Sequence, residues 1–349
     1  MRKIVKQVVG IDVAQKELVV TLGRMQDNWM PELYAKKSFE NTKKGFTVLV
    51  SWVGKLTVDS CQVRYVMEAT GVYHESLAYF LDENGHEVTI VLPNKISNYF
   101  RTLEVKTIND KTSADAIALF GLEKKLNLWK RPNTIFKKMR QLTREREQLL
   151  RSRTVAKNQL HAEQSEAEPG KKTTERLKKQ IAFFNKQEKE IKEELEALQR
   201  SDEQVNKTIK RISSITGVGK LTAATVLAET NGFELIRNKR QLSSYAGLDV
   251  REKQSGTSVK GKPRISKKGN KYLRKAMHMP ALTAIRHDSR FKAVYARLIA
   301  RHGIKMKAAV AVQRKLLEMI YVIYKTGVLY DRDYLMRNEK ETATQMGQN

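Results

Sequence analysis

The chain has 349 residues, enough for two or three domains rather than a single core. Its 66 Lys and Arg against 38 Asp and Glu leave a net charge of +28, which repels itself in a compact state unless a polyanion shares the surface, so nucleic acid is the leading partner and an anionic membrane a distant second. Cys61 is the only cysteine and the six histidines show no metal-ligand spacing, which excludes an intrachain disulfide and a cysteine-built zinc site and leaves carboxylates to bind any metal.

In chain order, the opening "MRKIVKQVVGIDVAQ" passes from charge straight into a strand pattern with no signal-peptide cleavage site, and no run approaches the roughly 18 apolar residues of a membrane span. A cytosolic, non-membrane protein is expected. Strand patterns lie near 7 to 13, 17 to 23 and 32 to 38, followed by an amphipathic helix "NTKKGFTVLVSWVGKL" with Asn41 as the expected N-cap. "VRYVME" is a further strand ending at Glu68, "TGVYHESLAYFLDENG" a turn and a helix closing at Gly85, and "EVTIVL" a strand stopped by Pro93. This order implies an α/β domain in which a meander feeds parallel strands.

Composition changes after Pro132. Residues 134 to 207 are rich in Lys, Glu, Gln and Arg and are broken at Pro169 and Gly170. Leu177, Ile181, Phe184, Ile191, Leu195 and Leu198 recur at heptad spacing, with Glu188 in the skipped place, so a coiled coil is expected, within the chain or between chains. From about 208 the chain reads as helical and basic, and its tail after Tyr330 as polar and frayed.

Asp12 stands inside the apolar run Val8, Val9, Ile11, Val13. Strand alternation permits it to face solvent; a buried carboxylate instead demands a cation or a cluster of donors. Functional groups of an open sheet collect at strand ends, where Glu68 sits, and "KTINDKTSADAIALFG" adds Asp110 in the loop before a helix and Asp115 in its first turns. Four carboxylates converging there repel one another unless cations intervene, and a pair of Mg²⁺ ions, with Mn²⁺ as a substitute, resolves the conflict and supports phosphoryl transfer. Taken singly, each acid also has an ordinary reading as a cap or a strand-end residue.

With these motifs in place the sequence resembles, over nearly its whole length, the DEDD transposases of bacterial insertion sequences, the insertion-sequence one-hundred-ten family related to the Piv and MooV invertases. "GIDVAQKEL" carries the first acid, "MEATGVYHESLAYFL" the second and "DKTSADAIAL" the last pair. The resemblance implies a RuvC-like, ribonuclease-H-like domain over 1 to 130, a coiled-coil linker or dimerisation region over 131 to 207, a mainly helical transposase domain over 208 to 330 and a tail over 331 to 349. It further implies that Asp12, Glu68, Asp110 and Asp115 are the catalytic metal-binding tetrad. One departure stands out: the family pattern "KTDxxDA" spaces its last two acids three apart, whereas Ser113 and Ala114 precede Asp115 here and Asp110 lies further upstream.

"ITGVGKLTAATVLAE" looks like the start of a helix-hairpin-helix, whose Gly-x-Gly turn brings backbone N–H groups to a phosphate; Gly217, Gly219 and Lys220 are its candidates, and a tight helix connection is the plainer reading. In "SSYAGLDVREKQSGTSVKGKPRISKKGNKYLRKA" the resemblance makes Ser255, just before glycine, the nucleophile. On the residues alone Ser255 is a turn serine without a neighbouring histidine base. Lys253, Lys260, Lys262, Arg264, Lys267, Lys268, Lys271 and Arg274 around it would clamp a phosphodiester. Few aromatics are interleaved, so phosphate contacts rather than base readout are expected to carry affinity. The resemblance adds a non-coding guide RNA from the element, to which sequence choice is delegated, and a homo-oligomer, dimer or tetramer, acting on DNA at the nucleoid. Two rivals remain: a structure-selective nuclease with no covalent step, and a non-catalytic nucleic-acid-binding protein with steep salt dependence.

Overall fold

A computed structural model describes residues 3 to 331 apart from Thr70, Glu104, Lys106, Ile108, Leu235, Lys253, 256 to 258, Lys262 and Pro263; for Gln254, Ser255, Val259 and Lys260 it describes the backbone alone. The expected tail after 331 lies outside the described residues. The chain divides into two units, Met1–Arg131 and Pro132–Asn349.

The first unit is built on a mixed sheet of β1 (Ile4–Val13), β2 (Glu17–Gln26), β3 (Pro31–Glu40), β4 (Val63–Glu68) and β5 (Glu87–Val91) in the order β3-β2-β1-β4-β5. β1 to β3 form the antiparallel meander, and β4 and β5 join parallel to β1. The apolar runs of β1 and β4 follow from burial on both faces. One face carries Val9, Ile11, Val13, Tyr65 and Met67 against α1 (Lys43–Leu56) and α2 (Glu75–Glu83). The other carries Val8 and Val66 against α3 (Pro93–Phe100) and α4 (Asp110–Glu123). Pro93 both ends the strand pattern and opens α3 at the position where a missing N–H costs nothing.

Thr42, not Asn41, caps α1, accepting from the Gly45 N–H; the Asn41 side chain instead donates to the carbonyls of Ala14 and Tyr73. Asp110 is likewise not in a loop. Asn109 and Thr112 close a capping box that starts the helix one residue before it, so Asp110 is the first residue of α4.

How closely α4 approaches the sheet is decided at Gly10. A Cβ there would lie 2.4 Å from the Ala118 nitrogen and 2.6 Å from the Ala114 oxygen, both backbone atoms that cannot swing aside. Gly10→Ala is therefore expected to cost about 2–3 kcal/mol by forcing α4 off β1, read as a lowered urea midpoint. A variant as stable as the parent would mean that α4 does not rest on β1.

In the second unit, α5 (Thr134–Gln164) and α6 (Lys171–Arg200) pack on each other within the chain, the connection falling at the Pro169–Gly170 break. Glu188 is only 7% exposed, yet it sits in the apolar seam because Arg146 and Arg153 of α5 and Lys192 of α6 surround it. Burial pushes its carboxyl up, but these three cations together outweigh that and bring it down to about 2.

The base of this helical pair is not a separate region. Met139, Leu142, Ile191 and Leu195 share one core with the helices that follow: α7 (Glu203–Ile212), α8 (Lys220–Thr230), α9 (Lys239–Tyr245), α10 (Lys271–Ala276), α11 (His278–His287), α12 (Ser289–His302) and α13 (Lys305–Thr326). α8 is the central helix. Its run of Ala223, Ala224, Val226, Leu227 and Ala228 is buried all round, as a helix apolar on every side requires.

Between α9 and α10 the Gly- and Lys-rich stretch forms a small β-arm rather than plain loop. β6 (Val250–Arg251) pairs with β9 (Arg264–Ile265), and β7 (Gln254–Ser255) with β8 (Val259–Lys260). Among the described residues no helix is long and apolar enough to cross a membrane.

Candidate active site

Strand parity decides where Asp12 points. Val8 and Gly10 face α4, so Asp12, two residues on, faces the same side at the carboxyl end of β1. Ile11 is paired with Met67, which sets Glu68 at the corresponding end of the neighbouring parallel strand. Val66 faces α3 and α4, and Glu68 repeats its parity.

α4 supplies the other two acids and separates them. Asp110 lies one turn ahead of Ala114, which rests on Gly10, so it projects beyond the contact toward the end of β1. Burial pushes the Asp12 carboxyl up to about 6, assisted by the negative charges of Asp110 and then Glu68. Asp12 thus lies within the field of both neighbouring acids.

Asp115 points to the other side of the helix. Thr21 of β2 donates to its Oδ1 at 2.8 Å and Lys36 of β3 to its Oδ2 at 2.5 Å. Thr21 and Lys36 are directly opposite one another across the β2–β3 ladder, so Asp115 is held by a cross-strand pair. The four acids consequently share one face of the sheet without closing into one constellation. Among the described residues no group of three His, Cys, Asp or Glu is close enough to hold a metal ion. Thr112, three residues before Asp115, offers no substitute ligand, since its hydroxyl is used within the capping box.

In the second unit Ser255 ends β7, opposite Val259, at the tip side of the arm. Lys253 and Lys262 lie outside the described residues, and Lys260 is placed by its backbone in β8. Arg264, Lys267, Lys268 and Lys271 are exposed along the arm's base and the start of α10. Arg274 differs from them: its guanidinium donates to the Ala246 carbonyl at 2.8 Å, a structural use that takes it out of the expected clamp.

Gly217, Gly219 and Lys220 occupy the connection from α7 to α8. Gly217 has φ +89° and packs against the backbone of α11, where a Cβ would meet the Pro280 oxygen at 2.6 Å. Gly219 is the N-cap of α8 and Lys220 its exposed first residue. The loop borders an open concavity of about 590 Å³ completed by Thr283 and His287.

Sequence reasoning missed the polar junction beneath the arm. Glu229 of α8, 2% exposed, accepts from Arg144 Nε and Nη2 at 2.8 Å each and from Asn270 Nδ2 at 2.6 Å. Asn270 also caps α10, and Arg144 lies over the Tyr272 ring. The only signal in the sequence is a glutamate inside the otherwise apolar run "TAATVLAET". Gly10, Thr21 and Lys36 carried no signal, because each acts through a neighbour distant in the chain.

Two family models match the chain. Residues 9–169 match a DEDD transposase model of the IS110 type, and residues 209–296 match the transposase IS116/IS110/IS902 family. The pilin gene-inverting protein of Moraxella bovis is 25% identical over 328 residues, covering 94% of this chain and 98% of that protein. The transposase for insertion sequence element IS1111A of Coxiella burnetii is 25% identical over 350 residues, covering 91% and 89%. Thermus thermophilus RuvC in complex with a Holliday junction substrate aligns over 35% of this chain and 99% of its own at 10% identity, with a TM-score of 0.27, a likeness too slight to bear on function.

The protein is an enzyme of the transposase and recombinase class. Its two matched segments, which between them take in most of the chain, make it a member of the IS110 family of DEDD transposases.

Proposed function

We propose that this transposase cuts and rejoins DNA in two phosphoryl-transfer steps, with Asp12, Glu68, Asp110 and Asp115 holding Mg²⁺ and Ser255 acting as nucleophile. The reading is supported by Asp12 and Glu68 at the carboxyl ends of two adjacent parallel strands, with Asp110 in the first turn of α4 on the same face; burial, and then the charges of Asp110 and Glu68, push the Asp12 carboxyl up to about 6. A hard, all-oxygen donor set whose members repel one another suits a divalent cation. When bound, Mg²⁺ would neutralise charge developing on the phosphodiester. Asp110 is further favoured there by its place in the first turn of α4.

In the first step Ser255 gives up its hydroxyl proton as Oγ forms a bond to phosphorus, a phosphorus–oxygen bond to one deoxyribose breaks, and the released sugar oxygen takes up one proton in exchange. In the second, a hydroxyl of the incoming strand attacks phosphorus, and the serine leaves with a proton. Bond energy is conserved in the phosphoserine, which accounts for an acidic cluster and a serine arm in one polypeptide. Arg264, Lys267, Lys268 and Lys271 would hold the phosphates, with Gly217, Gly219 and Lys220 contributing backbone N–H groups and one charge.

Target choice belongs, in this reading, to a guide RNA from the element. The excess of +28 gives the polyanion attraction that a complex of protein, RNA and DNA needs. Joining several strands calls for a dimer or tetramer, for which the long helices α5 and α6 offer surface, working in the cytoplasm on nucleoid DNA.

The test is a denaturing gel of protein, Mg²⁺, element RNA and end-labelled element DNA, beside Ser255→Ala and Asp12→Ala. A protein-linked band lost in both variants is expected. Cleavage without an adduct that survives Ser255→Ala would replace this reading with a plain nuclease.

A further inference from the structure

We propose that the tip of the β2–β3 hairpin and the end of α4 beside it form a separate single-strand contact, in which an unpaired base stacks on Trp29 while its flanking phosphates lie on Lys124 and Lys125. The site stands at the opposite end of the sheet from the acids, about 20 Å from Asp12 along β1, and needs neither a metal ion nor Ser255.

Trp29 is a costly residue where it stands. It is 73% exposed, and its backbone has φ +61°, a left-handed conformation that strains a bulky side chain and that glycine would adopt freely. The turn nevertheless holds it in place. The Trp29 N–H donates to the Gln26 carbonyl at 2.9 Å, the Met30 N–H to Asn28 Oδ1 at 3.2 Å, and the Asp27 N–H to the Lys3 carbonyl at 3.0 Å. An indole presented in this way offers a large flat apolar face, preorganised for a group that covers it.

A cavity of about 540 Å³ lies beside the indole, a size that takes a small organic group. Met25, Leu122 and Leu126 give it apolar walls, and Lys6, Arg64, Lys124 and Lys125 line it against a single acid, Glu123, which has Lys124 at 3.9 Å. Apolar walls with a cationic rim match a base and its phosphates; an acyl chain or an apolar peptide would leave the cations without partners. The cations divide the work. Lys6 donates to the carbonyls of Leu122 and Lys124 at 2.7 and 3.2 Å, and Arg64 to that of Leu126 at 3.3 Å, so the carbonyl dipoles at the end of α4, which would repel a phosphate, are already covered. Burial, and then the charge of Arg64, push the Lys6 ammonium down, and an anion at the rim would relieve the second of these. Lys124 and Lys125 stay exposed to meet it.

The experiment titrates the full chain, in chelator so that no strand is cut, with oligouridylate, oligothymidylate and an abasic strand of equal length, following tryptophan emission and affinity. Trp52 and Trp129 are half-buried, so Trp29 is the indole open to stacking. The proteins are wild type, Trp29→Gly, which suits the φ of the turn, Trp29→Phe, which keeps a stacking face, and the Lys124→Gln/Lys125→Gln double variant. Both base-bearing strands are expected to quench wild-type emission and the abasic strand to leave it unchanged. Trp29→Gly should lose the quenching and bind the base-bearing strands about tenfold more weakly, with Trp29→Phe close to wild type in affinity. The double lysine variant should lower the slope of log affinity against log salt by about 1.4. Stronger quenching by one of the two strands assigns the site to RNA or to DNA and supports it in either case. Strand binding with unchanged emission and wild-type affinity in Trp29→Gly overturns the proposal. So does a loss of self-association in Trp29→Gly at unchanged strand binding, which would make the tip a contact between copies of the chain.

Discussion

Asp12→Asn is expected to abolish strand cutting and, in the same protein, to raise stability when no metal is present. The Asp12 carboxyl is pushed from 3.8 to about 6, so between these values the unfolded chain has already lost a proton that the folded chain keeps. Stability falls as pH rises through that window, and the full penalty is present above pH 6. The shift alone sets a ceiling of about 3 kcal/mol, and partial exposure of the side chain reduces this to about 1–2 kcal/mol. Asparagine cannot ionise and escapes the penalty. Urea denaturation in chelator should therefore show the variant ahead of wild type at pH 7.5, with the difference gone near pH 4. A variant less stable than wild type at pH 7.5 would show that burial and the neighbouring charges do not penalise the ionised Asp12 carboxyl. The coupling of lost activity with gained stability distinguishes a functional cluster from acids that brace the fold.

Glu229→Ala is expected to be the most damaging single change in the second unit, costing about 3–5 kcal/mol. The loss has two parts. Arg144 is left half-buried without its bidentate partner, and Asn270 loses the acceptor that orients it as the cap of α10. Because the base of the arm is attached at the same place, through Asn270 N to the Tyr245 carbonyl and Ser266 to Asp249, loosening should extend to the segment that carries Ser255. Glu229→Gln, which keeps the shape and one acceptor, should lose less than half as much. Denaturant midpoints measure the stability, and amide exchange across 249 to 275 measures the arm. Unchanged exchange in Glu229→Ala would confine the junction to a packing role.

The elements were largely legible because their signals are local. Alternation marked β1 to β5, Pro93 marked the end of β5, and the break at Pro169 and Gly170 marked the connection between α5 and α6. Local competition also explains the misplacements. Asn41 and Thr42 are both good caps, and Thr42 prevails while Asn41 is drawn to two carbonyls of other segments. Asp110 read as loop because the strongest helix signal begins at the alanines, whereas Asn109 and Thr112 start the helix earlier. In the arm, four two-residue strands are too short for any periodicity to show.

The sequence by itself determined the family, the alternation of an α/β unit with a helical one, the positive charge and the identity of the acids, since each of these lies in short motifs or in composition. Only the tertiary structure decided how the acids are grouped. α4 rests on Gly10 and turns Asp110 toward Asp12 and Glu68 while turning Asp115 toward Thr21 and Lys36. That outcome depends on the phase of a helix against a sheet and on a pairing between two strands, and neither distance is written in the spacing of residues along the chain.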